Sequence, residues 1–329
     1  MKPTPLLQVE NLRTYFFGFR GQRAVRAVDG VSFHVEAGET LGLVGESGCG
    51  KTTTCHSIFR ILPPGAEVIS GAVTFAGEDL MQKSPRDMRR IRGRDMAMIL
   101  QDPMASLNPL FTIFDQVAEP AYFHRGLRRQ TLRSRVAELL HMVRIPSPDV
   151  RMHEYPHQMS GGMRQRIVGA TALAGGPKLI IADEPTTNLD VTIQLQYLNL
   201  LKELQRQTGV ALIFVTHDLG IVAKMCDRVA VMYAGKIVEQ GSVRTIYNHP
   251  QHPYTEGLIK SVPRIGSKAD LYAIPGQPPD LANLPPGCAF APRCSEALAL
   301  CCRDEPEEMV LADGHRSRCW LPVREGIDG

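Results

Sequence analysis

Long apolar runs are missing from this chain. The longest, at 41–44, 179–182 and 210–215, have the length of buried strands and fall far short of the roughly 20 residues that cross a bilayer. The first eleven residues hold a lysine with no apolar stretch behind it. No targeting segment is read there, and the chain is expected in the cytosol. An excess of charge of one sign is missing as well. The formal net charge is +3, so nucleic acid is not an expected partner. Two local basic runs, 86–94 and 125–135, read as solvated helix faces. No repeat of solenoid period appears.

What is present is an ordinary globular composition, 43% hydrophobic and 22% charged over 329 residues, enough for a large domain with an appendage. Apolar runs at 41–44, 96–100, 179–182 and 211–215 read as buried strands of a parallel sheet. Helical patterns lie between them, the clearest at 191–207 with Leu195, Leu198, Leu201 and Leu204 on one stripe, and another at 216–225. This alternation predicts an α/β domain. Residues 7–35, with short strand-like runs around Gly18, Gly21 and Gly30, predict an antiparallel flap. Beyond residue 250 prolines punctuate the chain and exclude long helices and central strands. A boundary is placed near residue 255, with a loop-rich C-terminal module after it. Eight cysteines are distributed unevenly, and Cys288, Cys294, Cys301, Cys302 and Cys319 crowd that module. In a reducing compartment such a thiol cluster points to metal before disulfide.

Gly45-Glu46-Ser47-Gly48-Cys49-Gly50-Lys51-Thr52 fits G-x-x-x-x-G-K-S/T, between a predicted strand and a predicted helix at 52–61. Glycines there let backbone N–H groups converge on phosphate oxygens, and the helix N-terminus adds its dipole. Gly45, Ser47, Gly48, Cys49, Gly50, Lys51, Thr52 and Thr53 are therefore candidate nucleotide contacts. Lys51 is expected at the β- and γ-phosphates of ATP, and Thr52 at Mg²⁺. The apolar strand 179–182 ends in Asp183 and Glu184. Asp183 is placed to hold the water shell of Mg²⁺, and Glu184 to reach the attacking water.

Ser160-Gly161-Gly162-Met163-Arg164-Gln165 puts a serine hydroxyl and two glycines at the start of a helix, which is either a plain cap or an anion site. The segment resembles the signature motif of ABC ATPases. On that resemblance Ser160, Gly161, Gly162 and Gln165 serve the nucleotide of another subunit. Gln101 resembles the Q-loop glutamine, which touches Mg²⁺ or water; Asn188-Leu189-Asp190 resembles the D-loop, with Asn188 where alanine is common; His217 resembles the switch histidine. Phe16 lies where the family puts an aromatic that stacks on adenine, with Tyr15 as the second choice. The resemblance implies a P-loop NTPase ABC cassette over 1–255, a RecA-like core with an antiparallel β flap and a helical subdomain at about 104–175. The extension is 256–329.

Gln101-Asp102-Pro103-Met104-Ala105-Ser106-Leu107-Asn108-Pro109, His252-Pro253-Tyr254-Thr255 and Gly287-Cys288-Ala289-Phe290-Ala291-Pro292-Arg293-Cys294 are more restrictive. Together they resemble ATPase subunits of bacterial oligopeptide and dipeptide importers, and Met163 resembles the D-type partner. That implies an F-type second ATPase, two transmembrane permease subunits, an extracytoplasmic substrate-binding protein, and a peripheral place on the cytoplasmic face of the membrane. Importers of nickel, opines and some saccharides share these features, and a soluble ABC ATPase without a membrane partner is the alternative of another class. Cys288, Cys294, Cys301 and Cys319 are separated by five, six and seventeen residues. Four thiolates suit an iron–sulfur cluster or zinc, and plain reduced thiols are the third reading. Some related subunits carry a 4Fe-4S cluster on this pattern, with Cys301 rather than Cys302 at the family spacing.

Overall fold

Largely apolar pentads with every residue buried leave little choice but a strand covered on both faces. Thr40–Val44 and Leu179–Asp183 are two of them. In the computed structural model, which describes residues 4–18, 24–102, 106–187, 189–263 and 272–322, the chain divides into two compact units. One comprises residues 1–34, 40–81 and 216–329; the other comprises 35–39 and 82–215.

The first unit contains the expected flap. Leu7–Phe16 runs antiparallel to Ala66–Phe75, and Val25–Val35 and Glu78–Asp79 lie on the outer sides. The unit also carries Thr40–Val44 paired parallel with Arg228–Tyr233, which pairs antiparallel with Lys236–Ser242. The strand Arg316–Ser317 adds to Lys236–Ser242, so the C-terminal segment extends this sheet. The same segment also shares its core. Val44, Val231 and Tyr233 of the strands, Tyr254 and Leu258 of the helix Pro253–Lys260, and Phe290 form one buried cluster. That helix runs across residue 255, where proline density put the boundary. From residue 272 to 320 the regular elements are three-residue helical turns and the two-residue strands Met309–Val310 and Arg316–Ser317.

In the second unit Met96–Ile99, Leu179–Asp183 and Ala211–Thr216 pair parallel and in register, Met96 with Leu179 and Leu179 with Ala211. The helices Ile113–Arg125, Arg129–Met142 and Gly161–Ala174 pack together in the same unit. Thr112 and Asp115 form a reciprocal capping box at the start of the first, which fixes where it begins. Both basic runs lie mainly on exposed faces, as their spacing suggested. Helix Val191–Thr208 starts on Asp190, whose carboxylate accepts from the N–H groups of Thr192 and Ile193, and it stops at Gly209 in the left-handed region. Its buried stripe is Tyr197, Leu198, Leu200, Leu201 and Leu204. Leu195 was expected on that stripe and is instead exposed, because the buried face of the helix begins only at Tyr197. The helix expected at 216–225 begins later, at Leu219, since Thr216 completes a strand and Asp218 caps the helix.

Candidate nucleotide-binding site

The phosphate loop follows Thr40–Val44 and leads into the helix Lys51–Phe59. Gly45 and Gly50 set its path. A Cβ on Gly45 would overlap the carbonyl oxygen of Met232, and it would sit 2.8 Å from Cys49 Sγ. Gly50 caps the helix at φ 107°, and a Cβ there would overlap the carbonyl of Ala27. Lys51 is buried, and its Nζ donates to the carbonyls of Gly45 at 2.7 Å and Glu46 at 3.0 Å. The ammonium is thus held over the loop itself. Thr52 is exposed at the helix start, Thr53 is half-buried, and Ser47 and Gly48 are exposed, so this end of the loop faces outward. Cys49 turns inward, and burial raises its thiol pKa even beside Lys51.

Tyr15 and Phe16 lie on opposite faces of the flap strand, as neighbours on a strand must. The Tyr15 hydroxyl donates to Asp29 Oδ1 at 2.8 Å, and burial followed by this carboxylate raises its pKa. With Tyr15 tied down, Phe16 is the ring of the two without a polar tether. His217, also in this unit, is exposed directly after the strand Ala211–Thr216.

The second unit brings another set together. Asp183 ends its strand almost fully buried at 3% exposure. Glu184 follows at φ 44°, a backbone conformation that costs a non-glycine residue of order 1–2 kcal/mol. Its N–H donates to the Val215 carbonyl at 3.0 Å, which holds the turn. Gln101, exposed, donates through Nε2 to Glu184 Oε2 at 3.1 Å, and Thr187 Oγ1 donates to the same oxygen at 3.1 Å. Gln101 and Glu184, two separately read candidate residues, are therefore in direct contact. Thr187 went unread in the sequence, although a threonine three residues past an acid in a tight turn is a recognisable partner for it.

Ser160 caps Gly161–Ala174 by accepting from Met163 N–H at 3.3 Å; Ser160 and Gly161 are exposed and Gly162 packs on Ile193. Gln165 departs from expectation. It is 1% exposed and donates to the Pro185 carbonyl, so its amide supports the turn after Glu184 and cannot touch a nucleotide outside. Pro103, Met104 and Ala105 of the Q-loop segment and Asn188 of the D-loop lie outside the described residues.

Cys288, Cys294, Cys301 and Cys319 line one cavity with Phe290 and Trp320. Cys301 is buried and Cys302 is exposed. Burial raises the pKa values of Cys288 and Cys294 and pushes that of Cys319 up to about 12. Among the described residues no group of three or more His, Cys, Asp or Glu is disposed to hold a metal ion, so neither the zinc nor the iron–sulfur reading gains support from the arrangement.

The chain matches the ABC transporter family model over residues 28–187 and the C-terminal region model of oligopeptide/dipeptide transporters over 238–301. It is 51% identical over 318 residues to a dipeptide transport ATP-binding protein, DppD, of Bacillus subtilis, covering 96% of this chain and 94% of the relative. The oligopeptide transport ATP-binding protein OppD of the same organism is 47% identical, covering 98% and 90%. Among solved structures, the ATP-binding cassette MJ0796 in a dimeric post-hydrolysis state with ADP and Pi superposes with a TM-score of 0.63 at 27% identity, over 72% of this chain and 99% of that one.

Proposed function

Because the chain belongs to the ATP-binding subunits of oligopeptide and dipeptide ABC transporters, we propose that it is the ATP-hydrolysing motor of a membrane importer whose cargo is peptide. One observation carries this reading: a phosphate loop with every constrained position filled, Gly45 to Thr52, shares the chain with a match to the C-terminal region model of oligopeptide/dipeptide transporters. The cassette is placed at 1–255, its helical subdomain at about 104–175, and the extension at 256–329.

Loop amides and Lys51 bind the phosphates, and Phe16 offers its ring to adenine. Thr52 of the first unit, and Gln101 and Asp183 of the second, are hydroxyl, amide and carboxylate oxygen donors of the kinds a hard cation such as Mg²⁺ takes. When bound, that ion neutralises charge on the β- and γ-phosphates. Glu184 polarises the attacking water and His217 reaches the γ-phosphate. Ser160, Gly161 and Gly162 present an open helix start to nucleotide held by a second ATPase subunit of F type. Gln165 holds the Pro185 turn.

Two permease subunits and an extracytoplasmic binding protein complete the importer, with this chain peripheral on the cytoplasmic face. No helix among the described residues is long and apolar enough to cross a membrane. Phe111, Tyr122 and Phe123 are exposed and line one cavity in the second unit, an apolar face suited to a permease loop. The test is purification of the assembled transporter and measurement of peptide-stimulated ATPase. Phe123→Asp should leave the chain's ATP affinity within about twofold while the permease subunits no longer copurify. ATPase activity indifferent to peptide and binding protein would remove the cargo assignment.

The four cysteines of the extension are proposed to hold a 4Fe-4S cluster. This reading rests on the donor set, four thiols turned into one apolar cavity, and on a spacing wider than a single ion requires. Bound there, the cluster would staple a segment rich in proline. Anaerobically prepared protein should contain about four iron and four labile sulfide per chain. Cys301→Ser should lose them and Cys302→Ser should keep them; iron-free wild-type protein rules the cluster out.

A further inference from the structure

Two motifs of the C-terminal segment that the ATPase reading leaves unused, His252-Pro253-Tyr254-Thr255 and Phe290-Ala291-Pro292-Arg293, meet at one residue of the phosphate loop. That residue is Glu46. Its carboxylate takes both arms of the Arg293 guanidinium, Nη1 to Oε2 at 2.7 Å and Nη2 to Oε1 at 3.0 Å. Its backbone N–H donates to the Tyr254 hydroxyl at 2.9 Å. Its carbonyl accepts from Lys51 Nζ at 3.0 Å. Every polar group of Glu46 is thus engaged, two by the C-terminal segment and one by the phosphate-binding lysine.

The brace itself is rigid. The Arg293 side chain is 4% exposed, and its remaining N–H groups go to the Pro275 carbonyl at 2.8 Å, the Tyr233 hydroxyl at 3.3 Å and the Ile274 carbonyl at 3.5 Å. An arginine has five N–H donors, and all five are placed. Tyr254 is fully buried, with its ring centroid 4.6 Å from that of Tyr233 and 5.4 Å from that of Phe290. His252 fixes the start of the helix Pro253–Lys260 by accepting the Tyr254 N–H at 3.1 Å, and its burial holds it neutral, with a pKa lowered to about 3. A surface ion pair would contribute little, but this one is bidentate, part-buried and aimed at a glycine-rich loop.

A loop with glycines at three of its first six positions has much freedom to lose when phosphate orders it. We propose that Arg293 and Tyr254 are positioning residues that hold Glu46, and through its carbonyl Lys51, in the shape that accepts phosphate, so that the C-terminal segment sets nucleotide affinity. The proposal rests on the nucleotide-binding reading above. Their distance in sequence hides it: Glu46 and Arg293 are 247 residues apart.

The experiment measures MgATP affinity of the full chain by fluorescent-nucleotide titration, and KM and kcat of the assembled transporter. Arg293→Met should weaken affinity about tenfold and raise KM in step, with kcat at saturating ATP within about twofold. Tyr254→Phe keeps the ring and removes only the acceptor, so it should weaken affinity about fivefold with unchanged melting temperature. Arg293→Met added to Glu46→Ala should cost nothing further, since the brace then has nothing to hold. Equal affinities in wild type, Arg293→Met and Tyr254→Phe overturn the brace, as does a loss confined to kcat. Should Arg293→Met fail to fold, Tyr254→Phe decides alone. A wild-type chain that binds no ATP overturns the nucleotide reading and the brace together.

Discussion

Glu184→Gln should retain MgATP affinity within about threefold while hydrolysis by the assembled transporter falls by about 10²–10⁴, the range a positioned general base supplies. That loss corresponds to about 3–5 kcal/mol in the barrier. The structure gives reasons to expect so clean a separation. Glu184 sits in the second unit, after the buried strand Leu179–Asp183, and its backbone N–H is tied to Val215 rather than to its own side chain. Its strained φ of 44° is a property of the turn and survives the substitution. A glutamine has the same shape and keeps one oxygen to accept from Gln101 or Thr187, which both donate to Oε2 in the native protein. What is lost is the carboxylate charge. Thr187→Ala should produce the same signature at smaller size, because it removes one of two donors that orient the carboxylate. Single-turnover hydrolysis and nucleotide titration on the same preparations separate the two effects. Hydrolysis that survives Glu184→Gln removes the general-base assignment.

The parts of the molecule that were legible in the sequence are those whose physics is local. The phosphate loop is eight contiguous residues and its motif is read within them, although the carbonyls that demand glycine at 45 and 50 belong to Met232 and Ala27. Strands buried on both faces show as unbroken apolar runs, so Thr40–Val44, Leu179–Asp183 and Ala211–Thr216 were readable to within a residue. Ala66–Phe75 was not, because most of its residues are exposed or only partly buried and its pairing with Leu7–Phe16 shifts register between Glu10 and Thr14. Lys236–Ser242 hid for a different reason. It buries Glu239 and Gln240, and a polar pair interrupts an apolar pattern. Those residues belong inside only because distant groups complete them: Glu239 accepts from the N–H groups of Gln251 and His252 and pairs with His315 at 2.7 Å. Gln165 shows the same limit at the site. Its type and spacing suit a nucleotide contact, and only the position of Pro185 reveals that the amide is spoken for. The contact of Arg293 with Glu46 is the extreme case, since neither residue's neighbours announce the other.

Gly50→Ala should destabilise the first unit by about 3–5 kcal/mol and abolish ATP binding, whereas Gly48→Ala should cost about 1–2 kcal/mol and leave the fold intact. Both glycines have positive φ, 107° at Gly50 and 81° at Gly48, so backbone strain alone does not separate them. The surroundings do. A methyl on Gly48 meets nothing within 4 Å, because that part of the loop is exposed. On Gly50 it would collide with the Ala27 carbonyl oxygen and lie 2.7 Å from Met232 Cε. Met232 can move; the Ala27 carbonyl is fixed backbone in the strand Val25–Val35. The loop must then yield, and Lys51 follows Gly50 directly at the head of the helix Lys51–Phe59. Displacing that junction pulls Nζ off the carbonyls of Gly45 and Glu46 and misdirects the amides that would face phosphate. An effect of this size is a large part of the 5–15 kcal/mol that stabilises a typical domain. Urea unfolding of the two variants should show a much lower midpoint for Gly50→Ala with an unchanged slope. Midpoints that coincide would mean that the loop leaves its strand-bound path freely, and the close approach to Ala27 would then not be what demands glycine at position 50.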